Sequence, residues 1–148
     1  MEFGLNSDIL PLTGGHTLGF SHCSSFETRL HNFNATHHVD PTMEPQFAQN
    51  LLTTCPQPNT NRSAGAFLDS TANQFDNAYF KHLIEGKGVF GSDQALFLKN
   101  PTKTMVKRFA RDENAFFKAF ATSMVKLGSV GVITDGGEVR LNCRKVNS

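Results

Sequence analysis

The chain has no tryptophan and a single tyrosine, against fourteen phenylalanines. Its aromatic core set is therefore almost entirely phenylalanine. No apolar run is long enough to cross a bilayer, which excludes a membrane-spanning helix. The net charge of +1 leaves no basic or acidic footprint for nucleic acid or an anionic membrane surface. There is no Cys-x-x-Cys pair, so a structural zinc site is not expected. No Ser/His/Asp order fits a hydrolase triad. Met1-Glu2-Phe3-Gly4-Leu5-Asn6 has neither a basic start nor an apolar stretch, so no signal peptide is expected there. Internal repeats and domain boundaries are also lacking. What is present is ordinary for a folded chain: 148 residues, 39% hydrophobic and 18% charged. That length supports a single core, read as one domain over 1–148.

Periodicity gives a mainly α fold. A helix is predicted from near Gly15 to about Leu30, with Leu18, Cys23, Phe26 and Leu30 on one face. A loop covers 31–43, including His37, His38 and Asp40-Pro41. Pro45 to Thr54 reads as a helix with Phe47, Leu51 and Leu52 inward, stopped by Pro56. Residues 56–75 read as a long polar loop. Asp76 is expected to cap a helix with Tyr79, Phe80 and Leu83 inward, ending at Gly86 or Gly88. Ser92 is expected to cap another, Asp93 to about Leu98. Pro101 or Thr102 opens one to about Ala110. The longest runs from Glu113 to Leu127, with Phe116, Phe120, Met124 and Leu127 as its core stripe. Glu138 to Leu141 alternates and reads as a short strand or extended tail.

The chemistry-bearing candidates begin with Thr13-Gly14-Gly15-His16-Thr17-Leu18-Gly19. The two glycines allow close approach of something bulky, and the histidine behind them is well presented as a ligand or an acid/base group. On spacing alone, a hydrogen-bonded structural histidine is the other reading. Thr17, Asp69, Thr71, Gln74 and Asp76 form an oxygen-rich set, a calcium loop or an ordinary polar turn. On spacing alone, Asp93 is a helix N-terminal acid favoured by the macrodipole. Cys23 and Cys55 bracket a polar segment suited to a loop-closing disulfide, and Cys143 is left over. Asn34-Ala35-Thr36 and Asn61-Arg62-Ser63 are N-glycosylation sequons.

The run around His16 resembles the proximal-histidine signature of the plant secretory (class III) haem peroxidases. The resemblance continues through Arg29-Leu30-His31-Asn32-Phe33, Asp40-Pro41-Thr42-Met43, Phe75-Asp76-Asn77, Gly91-Ser92-Asp93-Gln94-Ala95-Leu96-Phe97 and Met124-Val125-Lys126-Leu127-Gly128. It ends at Asn142-Cys143-Arg144-Lys145-Val146-Asn147. It covers nearly the whole chain, matched to about the C-terminal half of the family. The resemblance implies the proximal half of the haem-peroxidase fold, with haem b bound through His16 and Asp93 hydrogen-bonded to that histidine. It implies a calcium ion held by Thr17, Asp69, Thr71, Gln74 (through its carbonyl) and Asp76. Here Asp69-Ser70-Thr71 is one residue shorter than the family's spacing. It further implies a Cys23–Cys55 disulfide, a Cys143 partner in the N-terminal half, and a secreted or cell-wall location.

The implied activity is oxidation of small phenolic donors by hydrogen peroxide, serving peroxide catabolism and the response to oxidative stress. In the family a distal histidine and arginine, in an Arg-x-x-Phe-His-Asp-Cys motif, move the peroxide's proton and stabilise developing charge. No histidine of these 148 residues is followed by Asp-Cys. Catalytic distal residues are thus not expected within this chain. The alternatives are a non-catalytic truncated fragment and a calcium-stabilised glycoprotein without peroxidase activity.

Overall fold

A computed structural model describes residues 8–133 and 135–147. Its elements are mainly helical: α1 (Leu10–Thr13), α2 (Glu27–Leu30), α3 (Pro45–Thr54), α4 (Ala78–Ile84), α5 (Gly91–Leu98), α6 (Thr102–Arg111) and α7 (Glu113–Leu127). Two short strands, β1 (Phe20–His22) and β2 (Gly65–Phe67), pair antiparallel, with Phe20 opposite Phe67 and His22 opposite Gly65.

The helix expected over 15–30 does not form. A 3-10 turn over Gly14–Thr17 leads into β1, and only Glu27–Leu30 is α-helical. Gly19, at φ +123°, takes a conformation that breaks any helix and that glycine adopts without strain. The following residues then find their hydrogen bonds in β2, far away in sequence. Gly65 is required there: a Cβ would lie 2.0 Å from the Ser21 carbonyl oxygen. Three-residue strands with serine, histidine and glycine in them carry too little alternation to be read from sequence.

α3 has the expected bounds. Pro45 sits in its first turn and the Glu44 carboxylate accepts from the N–H groups of Gln46 and Phe47. α4 departs slightly. Asn77 occupies the cap position, while Asp76 Oδ1 accepts from the Ala78 N–H at 2.7 Å. Asn77 instead ties α4 to the end of α6, donating to the Phe109 carbonyl at 2.9 Å. Ser92 does not cap α5; the helix begins at Gly91 with Phe90 before it and no side-chain cap. α7 runs as expected, capped by Asp112, whose Oδ1 accepts from the Ala115 N–H.

Two apolar clusters hold these elements. One gathers Phe26, Leu30, Leu51, Leu68 and Val89 around α2 and α3. The other packs Leu10, Tyr79, Phe80, Phe109 and Phe116 between α1, α4, α6 and α7. Phe80, Phe109 and Phe116 meet one another with ring centroids 5.0 to 6.0 Å apart. Burying each such ring contributes roughly 1.5–3 kcal/mol. The α7 stripe is core only in its first half. Phe116 is fully buried, but Met124 and Leu127 are 46% and 45% exposed. Residues 138–141 form no strand; they have no regular secondary structure and are exposed.

Candidate functional site

Gly14 serves the core before it serves any site. A Cβ there would stand 2.4 Å from the Phe116 ring and 2.9 Å from Phe80. The bulky neighbour that this glycine admits is therefore a phenylalanine. With α7 packed so closely beneath it, the 3-10 turn after α1 is fixed. His16 sits in this turn, at the end of a helical segment and not at the start of one.

Asp93 lies in the first turn of α5 and is buried. Its Oδ2 stands 2.9 Å from His16 Nδ1. The side chains are 5% and 42% exposed respectively, so the pair is anchored inside and open on one side. The Nδ1–H donates to the carboxylate, leaving Nε2 as the nitrogen with the available lone pair. The hydrogen bond holds the imidazole pKa above its ordinary value, against burial, which lowers it. Phe90 and Tyr79 meet the ring edge-on, with centroids 5.4 and 6.0 Å away. These contacts set the plane of the imidazole.

One residue on, Thr17 is wholly buried and its hydroxyl stands 2.6 Å from Asp69 Oδ2 and 3.1 Å from Asp76 Oδ1. Thr71 joins them, with its N–H and hydroxyl both on Asp69 Oδ1. Gln74 is exposed and its N–H bonds the Thr71 carbonyl, closing the turn. Two carboxylates, two hydroxyls and a turn of backbone thus converge. Among the described residues, no three His, Cys, Asp or Glu side chains converge to hold a metal; here carboxylates number two.

Cys23 and Cys55 form a disulfide. Cys143 is an exposed free thiol, and Asn34 and Asn61 are both exposed. His22 lies on β1, its ring edge-on to Phe20. His31 is engaged with the Cys55 carbonyl at 2.9 Å. His82 is partly buried, which lowers its pKa. Two contributors to the His16 environment were not singled out from sequence. Tyr79 was read only as an inward helix residue, and Phe90 not at all; a single sequence carries no signal that either ring faces His16.

Residues 2–112 fit the peroxidase family model. The chain belongs to the peroxidase family, and its relatives in Arabidopsis thaliana are class III peroxidases. It is 55% identical to peroxidase 66 of that plant, over 95% of this chain and 44% of the relative. It is 49% identical to peroxidase 64, over 94% and 43%, and 44% identical to peroxidase 49, over 96% and 44%. The chain spans less than half the length of the curated relatives it matches. No helix among the described residues is long and apolar enough to cross a membrane.

Proposed function

We propose that this chain supplies the haem-ligating side of a peroxidase that oxidises small phenolic donors with hydrogen peroxide. The observation that carries the reading is the His16–Asp93 pair: Nδ1 is held at 2.9 Å by a buried carboxylate while the ring stays partly exposed. That donor suits an axial ligand of haem b. When bound, the haem supplies the redox-active iron at which peroxide is reduced. The protein's own part is to fix the tautomer, to raise the basicity of Nε2 through Asp93, and to hold the ring plane with Phe90 and Tyr79.

Calcium fits the neighbouring cluster. The Thr17 hydroxyl has one hydrogen and faces two carboxylates, so it satisfies only one of them. A hard cation would neutralise Asp69 and Asp76 and accept Thr17, Thr71 and the Gln74 carbonyl as further oxygens. Since Thr17 follows His16 directly, such an ion would brace the turn that presents the imidazole. The disulfide supports an oxidising, extracellular or cell-wall location, where Asn34 and Asn61 would carry glycans. The peroxide's proton transfers belong to residues outside these 148, since none of the chain's histidines precedes Asp-Cys. By the resemblance, those residues would lie in the part of the relatives that this chain does not span, as would the partner of Cys143. That same observation favours, as a second reading, a non-catalytic partial peroxidase domain.

The test is an absorption titration of the purified chain with haemin, with and without calcium. A saturable Soret band with a high-spin ferric pattern, lost in His16→Ala, is the expected result. Non-saturable absorbance, or a spectrum unchanged in His16→Ala, overturns the axial assignment. Peroxide turnover by the haemin-loaded chain would overturn the non-catalytic reading.

A further inference from the structure

The Tyr79 hydroxyl is the one buried side-chain polar atom among the described residues that has no hydrogen-bond partner. The side chain is 2% exposed and its ring meets His16 edge-on. Leaving a buried hydroxyl unsatisfied costs free energy, because its hydration is lost without replacement. Such atoms are rare in native proteins and point to a role or to a partner that closes on them.

Two groups stand beside the phenol, the Thr13 hydroxyl and the Asp93 carboxylate, and neither closes a well-formed hydrogen bond with it. Thr13 directs its own hydrogen to the Leu10 carbonyl at 2.8 Å, so toward Tyr79 it can only accept. Asp93 is the stronger acceptor, because a hydrogen bond to an ionised carboxylate is roughly twice as strong as one between neutral groups. A tyrosine phenol is protonated at neutral pH and is a hydrogen-bond donor there.

We propose that Tyr79 is a third member of the His16–Asp93 pair: its phenol O–H donates to the Asp93 carboxylate and competes with His16 Nδ1–H for the same negative charge. The more of that charge Tyr79 takes, the less basic Nε2 becomes. Tyr79 is a positioning residue that acts through Asp93. Its effect on iron rests on the axial-ligand reading above; the hydrogen bond itself does not.

The composition makes the test clean. Tyr79 is the only tyrosine and there is no tryptophan. The tyrosine doublet in the ultraviolet resonance Raman spectrum of the haem-free chain therefore reports this phenol alone. A doublet ratio of a strong hydrogen-bond donor, moving toward the weakly bonded ratio in Asp93→Asn, is expected. A wild-type doublet of a phenol that does not donate, or one indifferent to Asp93→Asn, overturns the proposal.

The second arm uses the haemin-loaded chain. Tyr79→Phe should lower the ferric/ferrous potential, because Asp93 then acts wholly on His16, whereas Asp93→Asn should raise it. A potential that rises or stays put in Tyr79→Phe, as mere loosening of the pair would give, overturns the proposal. If the chain takes up no haem, the axial reading fails while the Raman arm still decides the hydrogen bond.

Discussion

Asp40 and Asp93 are buried to a similar degree, and each accepts a side-chain N–H at 2.9 Å, one from Arg29 and the other from His16. Around Asp40 every direction is closed. Arg29 is itself 5% exposed, donates through Nη1 to the Gly88 and Val89 carbonyls, and reaches the Thr42 hydroxyl through Nη2. Asp40 Oδ1 in turn accepts from the Thr42 N–H and hydroxyl. The guanidinium is permanently charged and has no lone pair to offer. This pair ties α2 to the segment before α3 and to the chain leading into α5, and it can do nothing else. Around Asp93 the arrangement is deliberately incomplete. Its partner is an imidazole with one nitrogen spent and one left over, on a ring that remains partly exposed. A phenol beside it is unsatisfied. Where a buried aspartate is fully enclosed, its pair is structural. Where the aspartate is buried and its partner is not, the open partner is the group available for chemistry.

The largest effect should come from breaking the closed pair. Asp40→Ala strands the Arg29 guanidinium in the interior, which typically costs about 3–5 kcal/mol. Urea unfolding followed by circular dichroism should show the midpoint falling accordingly. A loss below about 1 kcal/mol would mean that water reaches Arg29, and the contrast with the open pair would collapse.

The open pair should respond in the opposite way, with little stability at stake and much chemistry. Asp93→Asn keeps the shape and an acceptor for Nδ1–H, so it should cost only about 0.5–1.5 kcal/mol in the same unfolding experiment. In the haemin-loaded chain it should raise the ferric/ferrous potential, since a neutral amide pulls less on the imidazole proton. An unaltered potential in a spectroelectrochemical titration would count against the hydrogen bond as the tuning element.

How much of this was readable in advance depends on the reach of each interaction. α3 and α7 were legible to the residue because local chemistry bounds them: Pro45 and Pro56 for the first, Asp112 and Gly128 for the second. The failure over 15–30 is a case of tertiary pairing overriding local propensity, with Gly19 as its only local trace. His16 and Asp93 are 77 residues apart, so no spacing rule joins them, and their pairing was expected only through resemblance to the peroxidases. Arg29 and Asp40 lay in two separate matched motifs, but a motif match does not say which of its residues are buried or that the two meet. Tyr79 was legible as a core residue, and its hydroxyl was not, because apolar periodicity reads the ring and ignores the oxygen.

The smallest expected effect is acid sensitivity, and it sharpens the comparison from the closed side. Burial alone would raise the Asp40 pKa; the Thr42 hydroxyl and N–H, together with Arg29, outweigh it and hold the carboxyl below its ordinary value. A carboxyl depressed in the folded state contributes stability that is present above its unfolded pKa, about 3.9. That contribution is lost as the pH falls through the lower, folded value. Thr42→Val removes the hydroxyl's bond to Asp40 and the acceptor of Arg29 Nη2, while keeping the backbone N–H and the Arg29 ion pair. It should cost about 0.5–1.5 kcal/mol at neutral pH. The acid-unfolding midpoint should move upward by a fraction of a pH unit, measured by circular dichroism across the acid range. A midpoint that stays in place would mean that Arg29 alone sets the Asp40 charge, and the closure of that site would then be electrostatic and not owed to its hydrogen bonds.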